Sequence, residues 1–260
     1  MIGQEAPERR AANDADFGAG LAQPTAPNGL ATLRTAHTNR LSAGEIQSLN
    51  ERYAPLDCEE RIRQLYRDFP PEKVLVTSSF AATSAFFLHV VSRVRPEQEI
   101  AFIDTGFHFP QTLRYKAYLT DLFRLKVFDV AAPPAAHERT AHARLWEADP
   151  DRCCAVNKIA PLEAIEPDYQ VWISSLMRWQ SEHRAGMRIF ERRRGILKFH
   201  PMIDVTREER DDYIRAHHLP FHPLVLQGYA SIGCKHCTVA GEGRSGRWAG
   251  KPKTECGLHL

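Results

Sequence analysis

Between Lys73 and Val130, short apolar runs rich in β-branched residues alternate with segments of helical period. That alternation constrains the fold more than any other feature of the chain. Lys73–Phe80 (KVLVTSSF) reads as a buried strand, Ala81–Val94 as an apolar helix and Glu99–Thr105 (EIAFIDT) as a second strand. Pro110–Phe123 is helical by period, and Leu125–Val130 supplies a third strand. Strands joined through helices run parallel, and a parallel sheet needs cover on both faces. Gln170–Leu176 (QVWISSL) adds a fourth strand, and Gly195 turns a hairpin between Arg188–Glu191 and Ile196–Phe199. Ile62, Leu65 and Tyr66 give residues 57–68 one apolar helical face. Thr206 caps a helix to about His217, with Glu208 and Glu209 in its first turn. The spacing therefore predicts an α/β fold, a parallel twisted sheet flanked by helices.

After Pro220 the period is lost in a run of Gly, Pro, Cys, His and Arg. Residues 1–45 are rich in Ala, Gly, Asn and Pro, and Glu5, Glu8, Asp14 and Asp16 argue against a transit peptide. Three parts are expected: a disordered arm at 1–45 that ends near a short helix at Leu41–Leu49, an α/β domain at 46–240, and a mobile C-terminal tail at 241–260. A hydrophobic fraction of 43% in 260 residues supports a core without staples. Lys+Arg 34 against Asp+Glu 32 leaves +2, no signature of a nucleic-acid binder. No run approaches the roughly 20 apolar residues that span a bilayer, so no membrane association is expected.

In an open parallel sheet, ligands bind beyond the carboxyl ends of the strands. Ser78, Ser79 and Phe80 stand at one such end and lead into a helix. Their hydroxyls and the free helix amides suit a phosphate, although such turns also serve simply as caps. Asp104, Thr105 and Gly106 end the second strand and suit a nucleoside.

Six cysteines are too few for a disulfide scaffold, and no secretory segment precedes them; a reducing, cytoplasmic setting is expected. Cys153-Cys154 and Cys234-x-x-Cys237 make four thiolates, the number taken by a tetrahedral zinc or an iron–sulfur cluster. Adjacent cysteines diverge unless the backbone bends, which favours a multi-iron cluster over a single zinc and leaves both open. Cys256, among Arg244, Arg247, Lys251 and Lys253, is either a low-pKa nucleophile on a swinging tail or an inconsequential terminal thiol. Cys58 reads as structural.

These segments together resemble the phosphoadenylyl- and adenylyl-sulfate reductases, and within them the assimilatory adenylyl-sulfate reductases. The resemblance runs from about Leu56 to Leu260. It is carried by TSSF at Thr77–Phe80, DTGFHFPQT at Asp104–Thr112 and CCAVNKIAPL at Cys153–Leu162. RWQSEHR at Arg178–Arg184, GYASIGCKHCT at Gly228–Thr238, RSGRW at Arg244–Trp248 and KTECGLH at Lys253–His259 complete it. The resemblance implies an adenine nucleotide alpha-hydrolase-like fold with a modified phosphate loop. It implies reduction of adenosine 5′-phosphosulfate to sulfite and AMP in sulfate assimilation, with thioredoxin or a glutaredoxin-like donor supplying electrons. Cys153, Cys154, Cys234 and Cys237 would hold a 4Fe–4S cluster, and Cys256 would be the nucleophile that becomes an S-sulfonate. Lys158 would lie between cluster and substrate, and Arg178, Arg184, Arg244, Arg247 and His259 would meet its anionic groups. Paired cysteines favour adenylyl sulfate over its 3′-phosphorylated form, which stays as the alternative. A non-enzymatic cluster- or metal-binding nucleotide sensor is the rival from another class. A homo-oligomer is expected, of a size the sequence does not fix.

Three positions depart from the family pattern: Ala81 where Gly often follows the phosphate loop's SF, Met177 in place of an arginine, and Ser175 in place of a Gly. An alanine tolerates positive φ poorly, so Ala81 predicts a differently shaped cradle.

Overall fold

The structure, a computed structural model, describes residues 41–193 and 195–259. The expected arm at 1–40 lies outside the described residues. Its last residues, 41–45, belong to the fold: Leu41 is buried, and Ser42 caps helix α1 (Ala43–Tyr53) in a reciprocal capping box with Glu45. Asp57 does the same for α2 (Cys58–Asp68), accepting from the amides of Glu59 at 2.9 Å and Glu60 at 2.8 Å. Both helices turn an apolar face inward, through Leu49 and Tyr53 in α1 and Ile62 and Leu65 in α2.

The sheet has six strands: β1 (Val74–Thr77), β2 (Glu99–Asp104), β3 (Lys126–Ala131), β4 (Val171–Ile173), β5 (Phe190–Arg193) and β6 (Ile196–Phe199). Their order is β3-β2-β1-β4-β6-β5, parallel throughout except for β5, which pairs antiparallel with β6 as the hairpin predicts. Helices α3 (Ser84–Val94), α4 (Pro110–Phe123) and α10 (Arg207–Ala216) match their predicted positions within a few residues, and a short α9 (Glu182–Ala185) lies between β4 and β5. The fourth strand is shorter than its apolar run, because Ser174–Leu176 leave the sheet to line a cleft.

Strand alternation divides the core between two faces. Val74, Val76, Ile100, Phe102, Val171, Ile173, Leu197 and Phe199 join one large cluster with α1, α2 and α3. Leu75, Ala101, Val130, Trp172 and Ile196 face the other way, where Leu162 and the C-terminal Leu258 cover them. Lys198 falls on this second face by the same alternation. The β4–β6 register sets it opposite Trp172, with its ammonium 4.3 Å from the ring centre.

Between β3 and β4, where the pattern predicts no element, the chain forms α5 (Pro134–His142), α6 (Leu145–Ala148), α7 (Pro150–Cys154) and α8 (Ala160–Ile165). A π-helical segment, Ala155–Ile159, joins α7 to α8. Such a wide turn inside a helix is frequent at functional sites, and here it follows Cys153-Cys154 and carries Lys158. Beyond Pro220 the chain is irregular, as expected, with short 3₁₀ turns at Pro223–Gln227, Lys235–Cys237 and Gly257–His259. Among the described residues no helix is long and apolar enough to cross a membrane.

Candidate active site

The chain runs outward from β1 through β2 to β3, then returns to place β4 on the other side of β1, so the topological switch lies between β1 and β4. A crevice opens at such a point beyond the strand ends. Here it is a cleft of about 480 Å³, with the β1–α3 loop on one wall and the loop after β4 on the other. Ser78, Ser79, Thr105, Lys158, Arg184, Arg244, Arg247, Cys256 and His259 all line it. Motifs almost 180 residues apart in sequence thus converge on one site.

Four expected site residues do not line the cleft. Phe80 is fully buried, packed edge-to-face on Phe102 at 5.7 Å. Asp104 and Gly106 close a turn on each other, the Gly106 amide donating to Asp104 Oδ1 at 2.8 Å. Arg178 turns away and donates from Nε to the Met187 carbonyl at 3.0 Å. Adjacency in a motif does not fix direction: neighbouring positions point to opposite sides of an extended chain. Ala81 does not take a positive φ. The loop's left-handed residue is Phe80, at φ 46°, and its buried ring holds that conformation. Met177 is core. Arg207, Arg210 and Trp179 line the cleft without having been singled out, both guanidinium groups lying over the indole at 4.7 and 4.8 Å. The sequence signal for Arg207 and Arg210 is the capped start of α10, and Trp179 lies within the RWQSEHR segment.

None of the six cysteines forms a disulfide. Cys153, Cys154, Cys234 and Cys237 line one small cavity with Thr105, Asn157 and Lys158. Thr105 Oγ1 lies 3.3 Å from Cys234 Sγ, and Asn157 Nδ2 donates to the Cys153 carbonyl at 3.0 Å. The Cys237 amide donates to the Cys234 carbonyl at 3.0 Å, the tight turn that C-x-x-C permits. Phe107, Trp146 and His236 wall the cavity, the last two stacked at 4.1 Å. Burial, then the neighbouring thiols, push the Cys153 thiol up to about 12. Among the described residues, no three or more His, Cys, Asp or Glu side chains are arranged to hold a metal ion.

Cys256 is half-buried and behaves differently. Burial pushes its thiol up, but Lys158, Arg247 and the Leu258 amide together bring it below the ordinary thiol value. Burial works against the Lys158 ammonium too, yet the sulfurs of Cys234, Cys154 and Cys256 keep its pKa above that of a free lysine. Lys158 therefore faces both sulfur groups. Gly233 lets Arg247 lie flat against the chain, since a Cβ there would stand 2.3 Å from its Nη2. Arg244 Nε and Arg247 Nε are buried without a hydrogen-bond partner, donors suited to an anion.

The tail reaches this site through named contacts. Lys198 Nζ donates to the Leu258 carbonyl at 2.8 Å, and Arg193 donates to that of Gly257. His183 Nε2 stands 2.8 Å from the His259 carbonyl oxygen, and the His259 ring stacks on Trp172 at 5.5 Å. A Cβ on Gly257 would stand 2.4 Å from Ile159 Cδ1, so a larger residue beside Cys256 would have to displace the Ile159 side chain. Glu255 is almost fully buried and meets Arg184 and Arg244.

Comparison with known proteins agrees with this geometry. The family described as the phosphoadenosine phosphosulfate reductase domain matches residues 73–240. A phosphoadenosine 5′-phosphosulfate reductase of Thiocapsa roseopersicina is 41% identical over 225 residues, 82% of this chain and 93% of that protein. An adenosine 5′-phosphosulfate reductase of Mesorhizobium japonicum is 36% identical over 229 residues, 84% of this chain and 87% of that one. The fold is also that of a phosphoadenylyl-sulfate reductase from Candida auris, at a TM-score of 0.65 and 24% identity, covering 76% of this chain and 98% of that one. The chain belongs to the phosphoadenosine phosphosulfate reductase family.

Proposed function

We propose that this oxidoreductase acts on adenosine 5′-phosphosulfate, releasing sulfite and AMP, with Cys256 as nucleophile and reduced thioredoxin as electron donor. The observation that carries the reading is the position of Cys256: a half-buried thiol, acidified by Lys158 and Arg247, in the cleft at the strand ends. A cleft of about 480 Å³ suits a mononucleotide.

The nucleotide enters with its anionic groups toward Lys158, Arg247 and the unpartnered Nε of Arg244. Ser78 and Ser79 supply hydroxyls from the opposite loop. The Cys256 thiolate attacks the sulfuryl sulfur, an S–S bond forms, and the bond from that sulfur to the bridging phosphate oxygen breaks. AMP departs with the electron pair. Nucleophile and substrate are both anionic, so Lys158 and Arg247 must offset their repulsion. A thioredoxin thiolate then attacks Cys256 Sγ; sulfite leaves with the pair from the S–S bond, giving a mixed disulfide. The second thioredoxin thiol resolves it, returning Cys256 as a thiolate and thioredoxin as a disulfide.

Cys153, Cys154, Cys234 and Cys237 match in number and kind the donors of a 4Fe–4S cluster, and they line one cavity with Lys158. When bound, the cluster would set the electrostatic environment of Lys158 and brace the wall that carries it.

The 3′-phosphorylated nucleotide remains a second reading, favoured by the name of the 41%-identical relative. Sulfite release with reduced thioredoxin decides between them. The expected kcat/KM favours adenosine 5′-phosphosulfate by about tenfold or more, near 1.4 kcal/mol. The reverse preference overturns the substrate assignment, and no sulfite from either nucleotide overturns the reductase reading. Iron and sulfide analysis of anaerobically purified protein should give about four of each per chain, with zinc instead contradicting the cluster.

A further inference from the structure

Glu255 precedes the nucleophile in sequence and is the most deeply buried residue of the terminal segment, at 2% exposure. Its carboxylate takes a two-pronged contact from Arg184: Nε donates to Oε1 at 2.9 Å and Nη2 to Oε2 at 3.0 Å. Arg244 Nη2 donates to Oε2 at 2.9 Å and Ser181 Oγ to Oε1 at 2.9 Å. Arg184 is itself buried, at 6% exposure, and its remaining Nη1 donates to Gln180. Its fork is therefore committed to the tail, although the residue also lines the cleft.

A paired buried carboxylate and guanidinium fix geometry closely but add little net stability, because desolvation offsets their attraction. That combination suits a contact which must be specific when made and cheap to break. Before Cys256, Arg244 also donates to the Thr254 carbonyl at 2.9 Å and Lys253 meets Asp151, but of these tail residues Glu255 is the most deeply buried. After Cys256 the fastenings fall at the carbonyls of Gly257, Leu258 and His259. Glu255 fixes the near side. With Gly257 pressed on Ile159, the backbone of Cys256 is pinned from both directions.

We propose that Glu255 is the positioning residue of the tail: clamped by Arg184 and Arg244, it aims Cys256 at Lys158 and Arg247, and opening of this clamp frees Cys256 from the cleft. Arg184, expected to meet the substrate, is on this proposal also the anchor of the nucleophile's segment. The aim toward sulfur transfer rests on the proposed reductase chemistry, whereas the clamp itself does not.

Two readouts on the full-length, cluster-loaded protein separate these layers. The first is substrate-free alkylation of Cys256 by iodoacetamide, followed on the C-terminal peptide by mass spectrometry. The second is single-turnover S-sulfonate formation with saturating nucleotide. Glu255→Gln keeps the shape and removes the charge; Glu255→Ala removes both. We expect Cys256 to alkylate about tenfold faster in both variants and S-sulfonate to form about hundredfold more slowly, the size of effect that small misplacement produces. Glu255→Asp should recover part of each. Arg184→Gln should reproduce both effects and add nothing when combined with Glu255→Gln. Unchanged alkylation in Glu255→Gln, or full additivity with Arg184→Gln, overturns the clamp. A fall in KM without loss of single-turnover rate also overturns it, because Glu255 would then compete with substrate for the arginines. Altered alkylation without any S-sulfonate in the parent protein would keep the clamp and refute the chemistry.

Discussion

The cleft has two walls built on opposite physical terms. The β1–α3 loop is held by its backbone and by apolar burial. The Ser78 amide donates to the Ala101 carbonyl at 3.1 Å, Phe80 is fully buried, and Phe86, Phe87 and Leu88 bury the helix that follows. The tail at 254–259 is held mainly by ions and carbonyls, with Leu258 on the second apolar cluster and the His259 ring stacked on Trp172. Close packing resists local rearrangement, whereas a contact made of paired charges can exchange its partners for water. The difference assigns rigidity to the wall proposed to receive the nucleotide and release to the segment that carries the proposed nucleophile.

Substitutions on each wall should therefore fail differently. The largest effect belongs to Cys256→Ser, which should lower turnover by roughly 10³-fold or more while leaving thermal stability unchanged. Cys58→Ser should keep turnover near that of the parent. On the rigid wall, Phe80→Ala should cost about 3–5 kcal/mol in denaturant unfolding without speeding alkylation of Cys256. Faster alkylation in that variant would show that the two walls are not independent.

A smaller effect concerns pH. His222 is buried, its Nδ1 accepts from the Leu224 amide at 3.1 Å, and its Nε2 lies 3.0 Å from Thr112 Oγ1. Burial pushes its pKa down to about 4. Between that value and the ordinary histidine range near 6.5 the unfolded chain binds the extra proton, so this contribution to stability falls as pH drops through that window. His222→Asn should flatten this part of the stability curve. An unchanged slope would assign the acid sensitivity to other groups.

The sequence pattern carried the strands because parallel sheets bury both faces and their residues form unbroken apolar runs. It carried the cysteine pairs and Cys256 because thiols are rare enough for position to be informative. It did not carry the helices between β3 and β4, where short segments lack a long apolar period. Nor did it disclose that Phe80, Asp104, Gly106 and Arg178 stay out of the cleft, since a motif names neighbours without giving their directions. The pairing of Arg184 with Glu255 spans 71 positions, and no local signal announces a contact at that range.

The central claim is that Lys158, with Arg247, makes Cys256 a reactive thiolate in this cleft. Rapid-quench measurement of Cys256 S-sulfonate in Lys158→Ala and parent protein, across pH and at saturating adenosine 5′-phosphosulfate, tests it directly. The expected result is a roughly 10²–10³-fold slower step in the variant. Its thiol titration should also move to higher pH, because the cation that favours the thiolate is gone. Equal rates and the same pH midpoint in the two proteins would contradict the claim.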